Sequence, residues 1–176
     1  MILNKLHNSN LLFLNISHTS LNNKEITAIA NVLPHCKLTS LDVSSNNIGD
    51  EGVTAIAKVL PYCKLTSLNL SFNNIETDGA LEIAKVLPYC HLASLDLSSV
   101  KLKINIEYSS GIITIVKALR HSKLTSLILR HNHIEDIEAI MISKELSNCN
   151  LTEFDLQHNC IEFMGAKALV TELPRC

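Results

Sequence analysis

Leu38 to Lys64 reads LTSLDVSSNNIGDEGVTAIAKVLPYCK, and Leu65 to His91, directly after it, reads LTSLNLSFNNIETDGALEIAKVLPYCH. The two stretches are near copies of 27 residues each, and a fixed period changes the meaning of every residue inside it. Outward from this pair, comparable blocks begin at Leu11, Leu38, Leu65, Leu92, Leu124 and Leu151, in steps of 27, 27, 27, 32 and 27. One block therefore carries five extra residues. The punctuation agrees with the leucines: Pro34, Pro61, Pro88 and Pro174 all fall at position 24 of a block. With the five extra residues set aside, Gly52, Gly79, Gly111 and Gly165 share position 15, and Cys36, Cys63, Cys90, Cys149 and Cys176 share position 26, where Ser122 stands in the long block. Residues 1–10 align with the back half of a block, Leu6 taking the place of Leu60, so the expected organisation is one domain over 1–176 that opens with a partial repeat.

Within each block the apolar spacing changes character. Positions 1, 4 and 6 alternate, as in Leu65, Leu68 and Leu70, which predicts a short strand with one face inward. Positions 16, 19, 20 and 23 carry Ala80, Ile83, Ala84 and Leu87, the spacing of a helix with one buried stripe. The same places hold Val53, Ile56, Ala57 and Leu60, then Ile112, Ile115, Val116 and Leu119, then Ala166, Leu169, Val170 and Leu173. The proline at position 24 lacks an N–H and clashes with the preceding turn, so each helix is expected to end about there. A unit this short cannot bury its own inner face. Successive units must stack and share a core of Leu, Ile, Val and Ala, and a solenoid follows.

The run LxxLxLxxNxI, carried by Leu38, Leu41, Val43, Asn46 and Ile48 and again by Leu65, Leu68, Leu70, Asn73 and Ile75, resembles the leucine-rich repeat. The helix of Gly52 to Leu60 in a 27-residue unit is similar to the ribonuclease-inhibitor-like subclass, which also occurs in nucleotide-binding innate sensors and resembles leucine-rich effectors of intracellular bacteria. The resemblance implies an α/β horseshoe arc, with a parallel sheet on the concave face and helices on the convex face. It also implies that the asparagine at position 9, here Asn46, Asn73, Asn132 and Asn159, bonds to backbone groups in the turn. Thr19 and Val100 depart from that pattern, and Val100 precedes the five extra residues. A remodelled turn with a rim loop between Lys101 and Gly111 is expected.

Composition sets limits on function. With 47% hydrophobic and 18% charged residues the chain has enough apolar material for a continuous core. The longest uncharged apolar stretch, 111–116, is far short of the roughly 20 residues of a spanning helix, so no membrane segment is expected. A net charge of −2 offers no broad attraction for nucleic acid. Only Leu11 to Leu14 follow Lys5 before Asn15, too short for a signal-peptide core of roughly 7 to 15 residues. Reduced cysteines and a cytoplasmic location are the expectation, and the abundance of Asn, Ile and Lys suggests a low-GC source, extending the location to delivery into a host cell. The five glycines are scattered singly and read as turn markers, with no phosphate-binding loop and no cofactor implied.

Side chains alternate across a strand, so positions 3, 5, 7 and 8 are expected to face outward on the concave sheet. Early blocks present mostly small polar residues there, such as Ser40, Asp42, Ser44 and Ser45. Variety rises toward the C-terminal end. Contacts between proteins favour aromatic and Arg side chains, which selects Phe72, Ile128, Arg130, His131, Asp155 and His158 as the partner-binding residues. His131 and His158 share position 8 in adjacent blocks, while His133 and Cys160 share position 10, so each pair should lie about 5 Å apart along the sheet. These are suitable ligand types for zinc, or for a cysteine-dependent site at Cys160, but no CxxC or HExxH motif supports either, and neither a metal nor a catalytic residue is assigned. The expected function is therefore a monomeric module that binds a protein partner and is not an enzyme. A scaffold segment of a larger repeat protein is the alternative.

Overall fold

The computed structural model of the chain describes residues 9–101, 111–146 and 149–172. The expected opening partial helix, the rim loop beyond Lys101, Pro174 and Cys176 lie outside the described residues. Six short strands, β1 (Phe13–Asn15), β2 (Ser40–Asp42), β3 (Ser67–Asn69), β4 (Ser94–Asp96), β5 (Ser126–Ile128) and β6 (Glu153–Asp155), form one parallel sheet in chain order. Among the described residues six helices alternate with them: α1 (Asn23–Ala30), α2 (Asp50–Val59), α3 (Thr77–Val86), α4 (Gly111–Leu119), α5 (Asp136–Leu146) and α6 (Phe163–Glu172). This is the α/β leucine-rich-repeat solenoid that the spacing predicts.

Each step of one repeat pairs identical positions, so Leu14, Leu41, Leu68, Leu95, Leu127 and Phe154 form a continuous ladder. Leu41, Leu68, Leu95 and Leu127 are buried behind the sheet, and Val43, Leu70, Leu97 and Leu129 at position 6 join them. From the helix side, Val53, Ile56, Ala57 and Leu60 close the same core, as do their equivalents in the first, third, fourth and fifth blocks. In the sixth block this stripe is open. Ala166 and Val170 are exposed, the latter by 68%, and among the described residues no further helix packs on α6.

The α-helices end about the proline position, as expected: those of the second and third blocks stop at Val59 and Val86, and the chain continues as 3-10 turns, Leu60–Tyr62 and Leu87–Tyr89, whose fixed proline φ suits the first turn. Two local readings are corrected. Glycines at position 15 are not turn markers. Gly52, Gly79 and Gly165 sit inside helical first turns without positive φ, and a Cβ there would lie 2.6 Å from Ile26 Cγ2, 2.5 Å from Asp50 Oδ1 and 2.6 Å from Asp136 Oδ1. They are required by close approach of neighbouring helices. Finally, position 7 does not face solvent in the regular blocks: Ser44, Ser71 and Ser98 are all buried.

The turn after each strand is built the same way along the chain. Asn15, Asp42, Asn69, Asp96 and Asp155, all at position 5, accept the N–H of position 7 through Oδ1 at 2.8 to 3.0 Å. Position 8 then enters the left-handed region in every block, with φ of 55, 52, 53, 50, 56 and 56° at His18, Ser45, Phe72, Ser99, His131 and His158. That conformation costs roughly 1–2 kcal/mol for a residue with a Cβ, and the asparagine of position 9 offsets it with several bonds. Asn73 is buried, accepts the Ile48 N–H at 3.0 Å and donates to the carbonyls of Val43, Leu70 and Ser71. Val100 cannot do this. Its own N–H is held by Asn132 of the following block at 3.0 Å, as the Thr19 N–H is by Asn46 and the Asn132 N–H by Asn159.

Candidate interaction surface

Of the six sequence-selected residues, the structure brings five together at the β5–β6 corner. Ile128 and Asp155 are opposite each other in register, and Arg130 and His131 follow Ile128 out of β5. Arg130 donates through Nε at 2.7 Å and Nη2 at 2.5 Å to the same oxygen, Oδ2, of Asp155. The other oxygen of Asp155 takes the Gln157 N–H at 2.9 Å, so this carboxylate is fully engaged. Burial works against its charge. The bonds from Arg130 and from the Gln157 N–H, with the Arg130 and His158 charges nearby, outweigh burial and hold the carboxyl below the usual carboxylate range. Reciprocally, the hydrogen bond to Asp155 raises the Arg130 guanidinium, and Asp96 and Glu153 add to this.

Beside this pair, the His131 and His158 rings stack with centroids 4.3 Å apart and planes 5° from parallel. The spacing follows from two identical left-handed positions in adjacent strands. Glu153 completes the corner by accepting from Ser126 Oγ at 2.6 Å.

Phe72 stands apart, two blocks away, with 55% of its surface exposed. A groove of about 890 Å³ along the rim connects it to the corner, lined by Phe72, Val100, Lys101, His131, Glu135 and Glu138 among others. Sequence reasoning missed Glu138. It occupies position 15, where four blocks have glycine. Its Oε2 accepts the Glu135 N–H at 2.9 Å, closing the first turn of α5, and the residue is only 4% exposed. Burial pushes its carboxyl above the usual carboxylate range, opposed by the backbone N–H bonds of Glu135 and Glu138, while the neighbouring Glu135 charge adds to the push. A legible signal existed: the first block repeats the arrangement with Glu25 and the Asn22 N–H, as a capping box.

Four separate stretches, 35–57, 63–84, 120–143 and 147–170, match the profile of the Leucine Rich repeat family, together more than half of the chain. The chain belongs to the leucine-rich repeat family. Among solved structures, the leiomodin-1 actin-binding site 2 superposes on this leucine-rich repeat domain with a TM-score of 0.67 at 20% identity, covering 83% of this chain and 86% of that one. An internalin from Listeria monocytogenes superposes with a TM-score of 0.51 at 21% identity, covering 81% of this chain and 35% of that one. Both likenesses concern the fold. No curated protein matches the chain in sequence.

The cysteine ladder of these leucine-rich repeats is structural. Cys36, Cys63 and Cys90 are buried free thiols, and Cys36, Cys63, Cys90 and Cys149 donate to carbonyls of the preceding turn at 3.0 to 3.5 Å. Ser122 makes the equivalent bond to Leu119 at 2.9 Å. Burial pushes the Cys63 thiol up to about 12, with Cys36 and Cys90 adding to it, so the thiol is protonated near neutral pH. His133 and Cys160 are exposed, and among the described residues no three His, Cys, Asp or Glu side chains converge as a metal ion would need. Nor is any described helix long and apolar enough to cross a membrane.

Proposed function

We propose that this leucine-rich repeat protein recognises a partner protein through the concave face of its sheet, with the β5–β6 corner at the centre of the contact. One observation carries the reading. Asp155 locks Arg130 and His158 backs His131, so the large side chains of this corner are held in place before any partner arrives. Binding then costs less side-chain entropy, and an anchored Arg among aromatic rings has the composition of an interface hot spot. The leiomodin-1 structure, described as an actin-binding site, supports a protein-binding role for a domain of this shape. The protonated, buried thiols suit a reducing compartment, so the site of action is proposed to be cytoplasmic, including the cytoplasm of a host cell.

Affinity capture from cell lysate with three chains tests this: the native protein, an Arg130→Glu, Phe72→Ser variant, and a Lys85→Glu control on the helical side. Partners held by the native chain and the control should be lost from the sheet-face variant. Identical partners on all three would reject recognition through this face.

A further inference from the structure

A net charge of −2 conceals how the charges are placed. From position 16 to position 27 the first five blocks carry eight of the chain's 15 lysines and arginines, with Glu82 and Glu145 as the only carboxylates. Positions 12 to 15 reverse this, with Asp50, Glu51, Glu76, Asp78, Glu135 and Asp136 among them. The sheet is parallel and each helix end leads directly into the next strand, so helix ends and strand entries share one edge of the solenoid and helix starts share the other. The first edge is basic and the second acidic.

Helix dipoles account for part of this pattern. Lys58, Lys85, Lys117 and Lys144, all at position 21, stand in last helical turns, where a cation is favoured. A second row has no such reason. Lys37, Lys64, His91 and Lys123 hold position 27, past the reach of the dipole, and Arg120 lies close by. Position 26 is buried as Cys36, Cys63, Cys90 and Ser122, and positions 25 and 27 are exposed on either side of it. Position 25 thereby sets His35, Tyr62, Tyr89 and His121 beside the cations, with Tyr62 74% and Tyr89 72% exposed. Neither tyrosine joins the core. Among the described residues the one ion pair on this edge is Lys85 with Glu82 at 2.5 Å, so the other lysines and Arg120 have no carboxylate partner.

The kind of cation and its placing select the partner. Apart from Arg120 the cations are lysines, point charges on flexible stems that suit a fluid anionic surface, whereas a shaped phosphate or carboxylate site favours the fixed fork of arginine. A nucleic-acid strand is held along a groove, but these cations stand on the tips of successive turns. The return from helix to strand has the same length in the first four blocks, which brings those tips to one level. A flat bilayer can meet them together, and tyrosine rings sit well at its headgroup level. We propose that this edge rests on an anionic phospholipid bilayer, with the lysines of positions 21 and 27 among the headgroups and Tyr62 and Tyr89 at the interface. The attachment is peripheral. The strands then stand upright on the membrane and the concave face stays open, so this docking goes beyond partner recognition and leaves it in place.

Co-sedimentation with vesicles tests this. In roughly 0.1 M salt, where charges still act over about 10 Å, the native chain should sediment with phosphatidylcholine vesicles containing roughly one third phosphatidylserine and stay in solution with pure phosphatidylcholine. Each lysine at such a surface strengthens binding about fivefold, so Lys64→Gln with Lys123→Gln should weaken it roughly 30-fold. Lys24→Gln with Lys101→Gln makes the same charge change on the acidic edge and should leave binding within about twofold. Tyr62→Ser with Tyr89→Ser should weaken it by a smaller factor, and no loss would overturn their placement at the interface. All these side chains are exposed, so the variants should melt with the native chain. No sedimentation with anionic vesicles, equal binding to both vesicle types, equal loss from the two lysine pairs, or binding that survives about 0.5 M salt would overturn the proposal. So would tighter binding, at equal charge concentration, to oligouridine or polyglutamate, which would give the edge to nucleic acid or to an acidic protein. The lysate capture concerns the sheet face and stands or falls separately.

Discussion

At position 7 the second, third and fourth blocks carry Ser44, Ser71 and Ser98, all buried, while the fifth and sixth carry Arg130 and Gln157, both exposed. The backbone is the same in the two regions. Strands stay in register from β1 to β6, and position 8 is left-handed throughout. What differs at position 7 is the size of the side chain, and in the sixth block also how much of it the neighbours cover. The second and third blocks have a repeat on either side, whereas Phe154, Leu156 and Ile161 of the sixth are only half-buried. A repeat array therefore separates two tasks: the interior enforces one backbone on every unit, and divergent side chains at its C-terminal end take up surface chemistry without disturbing it.

The sharpest way to break this comparison is to place a charge on the leucine ladder. Leu68→Asp leaves an unpaired charge at a site only 1% exposed and should cost about 3–5 kcal/mol, enough to unfold much of the array, whereas Phe154→Asp at the half-buried end should cost clearly less. Ser67→Asp, on the outward side of β3, should leave the denaturation midpoint almost unchanged. Equal losses in urea melts for Leu68→Asp and Phe154→Asp would show that the two regions are covered alike.

Asparagine replacement should give the next largest effect. Asn73→Ala strands the Ile48 N–H and several carbonyls in the interior, at a cost of about 1–3 kcal/mol, while water can replace much of what the half-exposed Asn159 supplies. Thermal melts of the two variants should differ in that order, and a reversed order would contradict the proposed role of coverage. Cys63→Ser should come third, at under about 1 kcal/mol, because Ser122 already shows a hydroxyl making the same turn-closing bond. A loss as large as that of Asn73→Ala would mean that the thiols do more than fill and cap.

The smallest effect belongs to the surface pair. The Asp155 carboxyl lies below its ordinary range in the folded state, so its contribution is present above the unfolded-state value of about 3.9 and is lost as pH falls through the lower folded-state value. Arg130→Met should therefore lower the melting temperature slightly near neutral pH and flatten the acid limb, with no difference once Asp155 is protonated in both. A difference that persists at the lowest pH would point to packing by the Arg130 stem instead.

Much of the fold was legible because its determinants are local and recur. The leucine spacing, the asparagine at position 9 and the near 5 Å approach of His131 to His158 all follow from one period and one strand spacing. The readings that failed depend on a neighbour. Glycine at position 15 looks like a turn residue until the preceding helix is seen 2.5 to 2.6 Å from where its Cβ would stand. Alternation alone puts Ser71 outside, but Asn69 accepts its N–H and Oγ–H, and in a block with a repeat on either side so small a side chain is left buried. Ala166 and Val170 have the spacing of a core stripe, yet among the described residues no helix covers them.

By itself, then, the sequence determined that this chain is a leucine-rich solenoid, which residues form its ladders and where one unit is longer. The tertiary structure alone decided that Arg130 is tied to Asp155, that Glu138 is buried beside a groove, and which apolar stripes are covered. The reason is range. Periodicity records what each unit demands of its own backbone, whereas pairing, burial and cavities depend on the distance between units, which no single repeat encodes.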